Sequence, residues 1–252
     1  MTVTLGWGLA LALAILVGLS VVASRLAGLH LERPVVVAAV RAIAQLTAVS
    51  LVITAAVGSL PTALAFTALM LVVAVWTTTR RVGAPRAWPW TTLAMLSGAL
   101  PVLLVIFATG AAPLNGVTVV SLGGIVIGNM MTVHTLLGRR VFAELRAQFP
   151  AYEGGRALGM TRAQAVGEVV RPVLAEALIP NLDQTRTVGL VTLPGAFIGV
   201  LLGGGSPVQA GAAQVLVLLG IMAGQLLTVA VAAGFVRAGR LLPDDLAERL
   251  RR

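Results

Sequence analysis

Cysteine and lysine are both missing from this chain of 252 residues, and acidic side chains are few, 9 against 18 arginines. The lack of cysteine removes any disulfide framework, thiolate metal site or cysteine nucleophile. The lack of lysine is read as a nucleotide bias of the genome and carries no chemistry. Charged residues make up only 11% of the chain and hydrophobic ones 58%, with a mean hydropathy of +0.98. Soluble domains carry roughly a quarter charged residues, so water is not the main solvent here.

Apolar runs set the organisation. Leu5 to Ala23, Val35 to Val57, Leu60 to Thr79, Trp88 to Thr109, Val117 to Leu137, Val188 to Leu202 and Val208 to Val236 predict seven membrane spans. Most reach the roughly 20 residues that a helix needs to cross a hydrocarbon core of about 30 Å. The sixth is short, ends at Gly203-Gly204-Gly205, and is expected to begin earlier, near Asp183. The first has no basic residue before Arg25, so it is expected to be a retained helix and not a cleaved leader. No internal repeat stands out.

A net charge of +9 could signal nucleic acid, but the charges sit between spans. Gly58-Ser59, Ala111 to Gly116 and Gly203 to Pro207 carry no arginine. Arginines follow spans one, three, five and seven instead: Arg25 and Arg33, then Arg80, Arg81 and Arg86, then seven between Arg139 and Arg186, then five from Arg237 onward. The positive-inside rule places these connectors in the cytoplasm. The expectation is an all-α multi-pass protein of the plasma membrane, N-terminus outside and C-terminus cytoplasmic.

The long hydrophilic stretch, about residues 138–187, is expected to open with an amphipathic helix, Arg139 to Phe149, closed by Pro150. Glu153-Gly154-Gly155-Arg156-Ala157-Leu158-Gly159-Met160 follows, and then Val169-Val170-Arg171-Pro172. Glu153, Gly159 and Pro172 fall in register with E-A-A-x3-G-x9-I-x-L-P, so the segment resembles the coupling motif of ABC importer permeases. That pattern describes a short helix, a glycine turn and a second helix opened by proline. Gly154, Gly155 and Arg171 depart from it, and an ordinary cytoplasmic hairpin would read similarly.

A longer resemblance runs from about Leu31 to Phe235. Thr187-Val188-Gly189-Leu190-Val191-Thr192-Leu193-Pro194-Gly195, with Ile179-Pro180 and Asp183 before it, resembles the signature of the FetB-type iron-export ABC permeases. Arg41-Ala42-Ile43-Ala44-Gln45-Leu46, Gly128-Asn129-Met130-Met131 and Leu158-Gly159-Met160-Thr161 are similar to other stretches of that family. The resemblance implies a homodimer of seven-span permeases, one permease domain covering residues 1–252, coupled through residues 153–172 to a separate ABC ATPase. It implies export of a metal ion such as iron. The chain holds no G-x-x-x-x-G-K-[ST] loop, so ATP and Mg are expected on the partner subunit, and the permease is expected to hold no cofactor and to catalyse nothing itself.

Several polar residues fall within or beside spans. Arg41, with Gln45 one turn deeper on the same face, either lines a pathway or ties the helix to a neighbour. Asp183 and Arg186, three residues apart, can pair with each other, or Asp183 can meet Arg41. Asn129 and Met131 are pathway candidates, and Asn129, Met130 and His134 fall together as a candidate metal cluster. Met130 and His134 are weak metal-ligand candidates, since thioether and imidazole suit softer cations, but His134 also reads as a partly exposed residue in the last turn of span five. Pro194 and Gly195 predict a break in span six, which needs its freed backbone groups resatisfied or set along a cavity.

A secondary carrier would normally place a carboxylate near the midplane, and the apolar spans hold none. A membrane enzyme lacks any H-E-x-x-H, nucleophile triad or paired acids in spans. A scaffold protein without transport is opposed only by the cytoplasmic segment and the polar face of span two.

Overall fold

A computed structural model describes residues 6–251; Leu5, the first residue of the first predicted span, and Arg252 lie outside the described residues. The described residues fold as helices, with no named strand, in two compact units, Met1–Ala56 and Val57–Arg252.

The first unit contains α1 (Trp7–Leu26) and most of α2 (Glu32–Val57). Gly28 and His30 turn the chain between them with positive φ of 63° and 55°. Ser24 secures the turn: its hydroxyl accepts from the Leu31 amide at 2.8 Å and donates to Glu32 at 3.4 Å.

The second unit begins with α3 (Leu60–Arg81), capped by a reciprocal Ser59–Thr62 box, and α4 (Trp88–Ala108), led in by the 3-10 turn Pro85–Ala87. Next comes α5 (Gly116–Ala147), whose first turn is capped by Asn115. Small residues let these helices approach closely. A Cβ at Gly98 of α4 would collide with the Gly224 carbonyl and the Thr228 hydroxyl of α10 (Pro207–Arg237), and one at Gly123 would press on Thr67 of α3 at 2.6 Å. Close backbone approach through glycine is how helices gain contact in lipid, where solvent no longer drives them together.

The expected separate helix from Arg139 to Phe149 does not exist. α5 runs unbroken for 32 residues to Ala147, and Pro150 stands in the first turn of α6 (Phe149–Ala157), where its missing amide costs nothing. α7 (Arg162–Val170), a 3-10 stretch (Arg171–Ala177) and α8 (Ile179–Thr187) follow. The sixth predicted span is helical only in α9 (Gly195–Leu202); Val188 to Pro194 form a non-helical stretch in which Gly189 takes φ 83° and its amide donates to the Thr192 carbonyl at 2.9 Å. Among the described residues, six helices are long and apolar enough to span a membrane: α1, α2, α3, α4 with its lead-in, α5 and α10.

The C-terminal ends of α5 and α10 share a core with α7 and the C-terminal α11 (Asp244–Arg249), built on Leu137, Phe142, Leu145, Val166, Val236 and Leu246. Each such side chain contributes about 1.5–3 kcal/mol through burial. Arg86 reaches Asp244 at 2.7 Å, Arg146 reaches Asp245 at 2.8 Å and Arg140 reaches Glu176 at 2.7 Å, so the arginine-bearing ends of this unit gather at one end.

Candidate functional site

Two regions of the second unit bring chemistry together: a hairpin at the arginine-rich end, and a series of clefts between α5, α8, α9 and α10.

The hairpin is α6, a four-residue turn and α7. Gly159 makes the turn with φ 88°, a conformation that side chains with a Cβ resist. The Gly159 amide donates to Arg156 and the Met160 amide to Gly155, closing the end of α6. Thr161 then opens α7 in a reciprocal capping box with Gln164. This corrects the expected role of Pro172, which opens the 3-10 stretch after α7 and not the second helix of the hairpin. Gly155 lies where the two helices touch, since a Cβ there would meet Ala165 and Met160 at 3.3 and 3.2 Å. Gly154 has open space around it.

The two ends of the hairpin differ. At its base Tyr152 is buried and Ala165, Val166 and Val170 sit in the core. At its tip Leu158 is 84% exposed and Gly159 is exposed, and Glu153, beside Tyr152 in the middle of α6, is exposed as well.

The clefts follow α5. A large apolar one of about 970 Å³ lies against Ala111 to Pro113, Val117, Gly199 and Gln209. It shares Ile125, Gly195 and Val217 with a cleft of about 320 Å³, which in turn shares Asn129, Asn181 and Gln184 with a narrower one of about 100 Å³ reaching Thr132, Leu136 and Gln225. From Val117 to Leu136 the series covers roughly 28 Å of helix rise, close to a hydrocarbon core. Pro194 and Gly195 both line it, as expected of the break that they make.

The predicted polar residues divide. Asn129 lines the clefts, with its side-chain amide donating to Ile125 at 2.9 Å. Asp183 pairs with Arg186 at 3.4 Å on the exposed face of α8. Met131 is half-buried against the core of α3, α4 and α5. Arg41 and Gln45 are exposed on α2. His134 is not partly exposed: it is 1% exposed, and its Nδ1 lies 3.4 Å from Thr78. Met130 turns elsewhere, and its sulfur accepts from Thr228 at 3.1 Å. With different partners they do not form a ligand pair, and no group of three or more His, Cys, Asp or Glu gathers among the described residues.

The sequence reading passed over Asn181, Gln184, Gln214 and Gln225. Gln214 and Gln225 are 5% and 4% exposed and line neighbouring clefts, and each has a buried Oε1 without a partner. A buried unpaired amide oxygen costs about 1–3 kcal/mol. The available signal was a pair of glutamines eleven residues apart, three turns along one face of an otherwise apolar helix.

The fold and its apolar helices define a multi-pass helical membrane protein. The chain belongs to the family described as "Uncharacterised protein family (UPF0014)", whose model matches residues 7–239. It is 32% identical over 134 residues to the "UPF0014 membrane protein STAR2" of Oryza sativa subsp. japonica, covering 53% of this chain and 47% of that protein. It is 32% identical over 126 residues to "Protein ALUMINUM SENSITIVE 3" of Arabidopsis thaliana, covering 50% and 46%. It is 33% identical over 129 residues to the "Probable iron export permease protein FetB" of Escherichia coli, covering 50% and 48%, in line with the resemblance seen in the sequence. These matches span about half the length of the curated relatives. No solved structure matches the chain.

Proposed function

We propose that this chain is the permease subunit of an ATP-driven transporter of the ABC class, working as a homodimer and coupled to a separate ATPase through residues 153–172. The observation that carries this reading is the contrast within the hairpin: side chains locked into the core on one side, and Glu153 on α6 with Leu158 and Gly159 at the tip open to a partner on the other. A partner's motion applied at such a tip passes to α5 and α10 and is not absorbed locally. ATP and Mg belong to that partner.

In this reading α8, the crossing at Val188 to Pro194 and α9 make a discontinuous seventh span, and the clefts beside it form the route. Half-helices flanking irregular backbone are a recurring device of transport proteins. The arginine-rich end faces the cytoplasm of the cell that carries the protein in its plasma membrane, and the N-terminus lies outside. The cargo is a metal ion, such as iron, moved outward; the names of the FetB and ALUMINUM SENSITIVE 3 relatives support a metal.

The test is purification of the tagged chain from its native membrane and mass spectrometry of what accompanies it. A stoichiometric subunit with a Gly-rich phosphate loop, lost on Glu153→Ala with Gly159→Val, is the expected result. A chain that purifies alone in mild detergent would overturn the proposal.

A further inference from the structure

We infer that the cleft between α7, the 3-10 stretch Arg171–Ala177 and the end of α10 is a headgroup site for an anionic phospholipid, with Arg171 and Arg237 holding the phosphate. The inference asks only that α10 crosses the membrane, and it stands apart from coupling to an ATPase.

The cleft holds about 720 Å³, within the range of ligand pockets. Its charged lining is Arg171, Arg237 and a single carboxylate, Glu168, so it is net positive. Among the described residues none of these three belongs to an ion pair. Arg237 spends only its Nε, at 3.4 Å, on the Ala233 carbonyl of its own helix, and its stem lies against Gly167 of α7, where a Cβ would meet it at 3.4 Å. Arg162 brings a third guanidinium beside the cleft, packed on Gly239 next to the lining residue Ala238.

Depth decides which anion fits. α10 has 31 residues and rises about 46 Å, close to a bilayer with its headgroups, about 40–45 Å. Arg237, its last residue, therefore falls in the headgroup layer. Phe235 meets Trp90 with ring centroids 5.1 Å apart, and Arg240 lies 4.6 Å over the same Trp90, as in the aromatic belts that mark this level. The uncharged walls at Leu174, Gly234 and Ala238 suit the glycerol and first methylenes of a lipid. Guanidinium forks suit its phosphodiester, and basic pockets between spans recur as headgroup sites.

The full chain, stripped of lipid in neutral detergent, is titrated with phosphatidylglycerol, phosphatidylcholine and free glycerol 3-phosphate, and bound molecules are counted by native mass spectrometry. Phosphatidylglycerol should bind saturably, at least about tenfold tighter than phosphatidylcholine. Arg171→Gln and Arg237→Gln should each weaken it about tenfold, the worth of one charge-assisted hydrogen bond. Glu168→Gln should tighten it, and Arg81→Gln, at an exposed arginine ending α3, should leave it unchanged. Melting temperatures establish that the variants fold. A photoactivatable phosphatidylglycerol in nanodiscs should label residues 162–174 and 234–240 of the unaltered chain, which needs no variant at all. Equal binding of the two lipids, glycerol 3-phosphate binding as tightly as the lipid, an equal loss on Arg81→Gln, or labelling elsewhere would overturn the inference. So would variants that keep the lipid but shed a protein on isolation, since the cleft would then face an acidic partner.

Discussion

The phenol of Tyr152 donates a hydrogen bond of 3.0 Å to the backbone carbonyl of Leu250, joining the first helix of the hairpin to the C-terminal segment. Arg249 adds to the joint by lying 3.8 Å over the Phe149 ring. Tyr152→Phe leaves that carbonyl buried and unpaired, at a cost of about 1–3 kcal/mol. Hydrogen exchange should quicken in residues 149–157 and 244–250 while α3 and α4 keep their protection.

Asp245 gives that joint a pH dependence. Its carboxyl is held below the usual aspartate range, first by hydrogen bonds from Arg146, against a small opposing effect of burial and with help from the Arg146 charge. A depressed folded-state value means that the contribution is complete above the unfolded value near 3.9 and fades as pH falls through the lower folded one. Docking of α11 should therefore be flat from about pH 8 to 5 and loosen below about 4. Pepsin cleavage of the tail across pH 2 to 5 checks this, and Asp245→Asn should remove the acid-dependent part.

Gly98 and Gly128 form a matched pair. Gly98→Ala drives a Cβ into the backbone of α10, whereas Gly128→Ala meets nothing within 4 Å. The first should cost about 1–3 kcal/mol and lower the melting temperature in detergent. The second should leave it unchanged or slightly raised, since alanine is the better helix former.

At the turn of the hairpin, Gly159→Val must adopt φ 88° and should unfold the tip at a cost of about 1–2 kcal/mol, with Gly159→Asn recovering much of it. Leu158→Asp should leave melting unchanged, because the side chain is exposed, and should abolish co-purification of the ATPase. Blue-native gels and thermal melts on the same samples separate the two effects.

Much of this was legible in the sequence because lipid imposes simple rules. Runs without charge marked α3, α4 and α10, and the turn at Gly159 followed from its place in the motif. Other features had no local signature. Arg139 to Phe149 suggested a new amphipathic helix, but a helix needs no break merely because its sequence turns from apolar to charged, and α5 continues to Ala147. His134 lies buried because α3 happens to bring Thr78 alongside, which residue spacing within α5 cannot reveal. Gln214 and Gln225 were hidden by the hydrophobicity of their own helix, and Asn181 and Gln184, which line the same clefts, come from a segment 30 to 44 residues earlier.

Helix α5 has no joint between its Asn115 cap and Ala147. At 32 residues it is a rod of roughly 48 Å, so a tilt of about 5° applied at one end carries the other by about 4 Å. The segment across the clefts, by contrast, is interrupted by the non-helical stretch Val188 to Pro194. In the proposed transporter, a stiff wall beside an interrupted one would turn a small rotation at the hairpin into a change of width along the clefts.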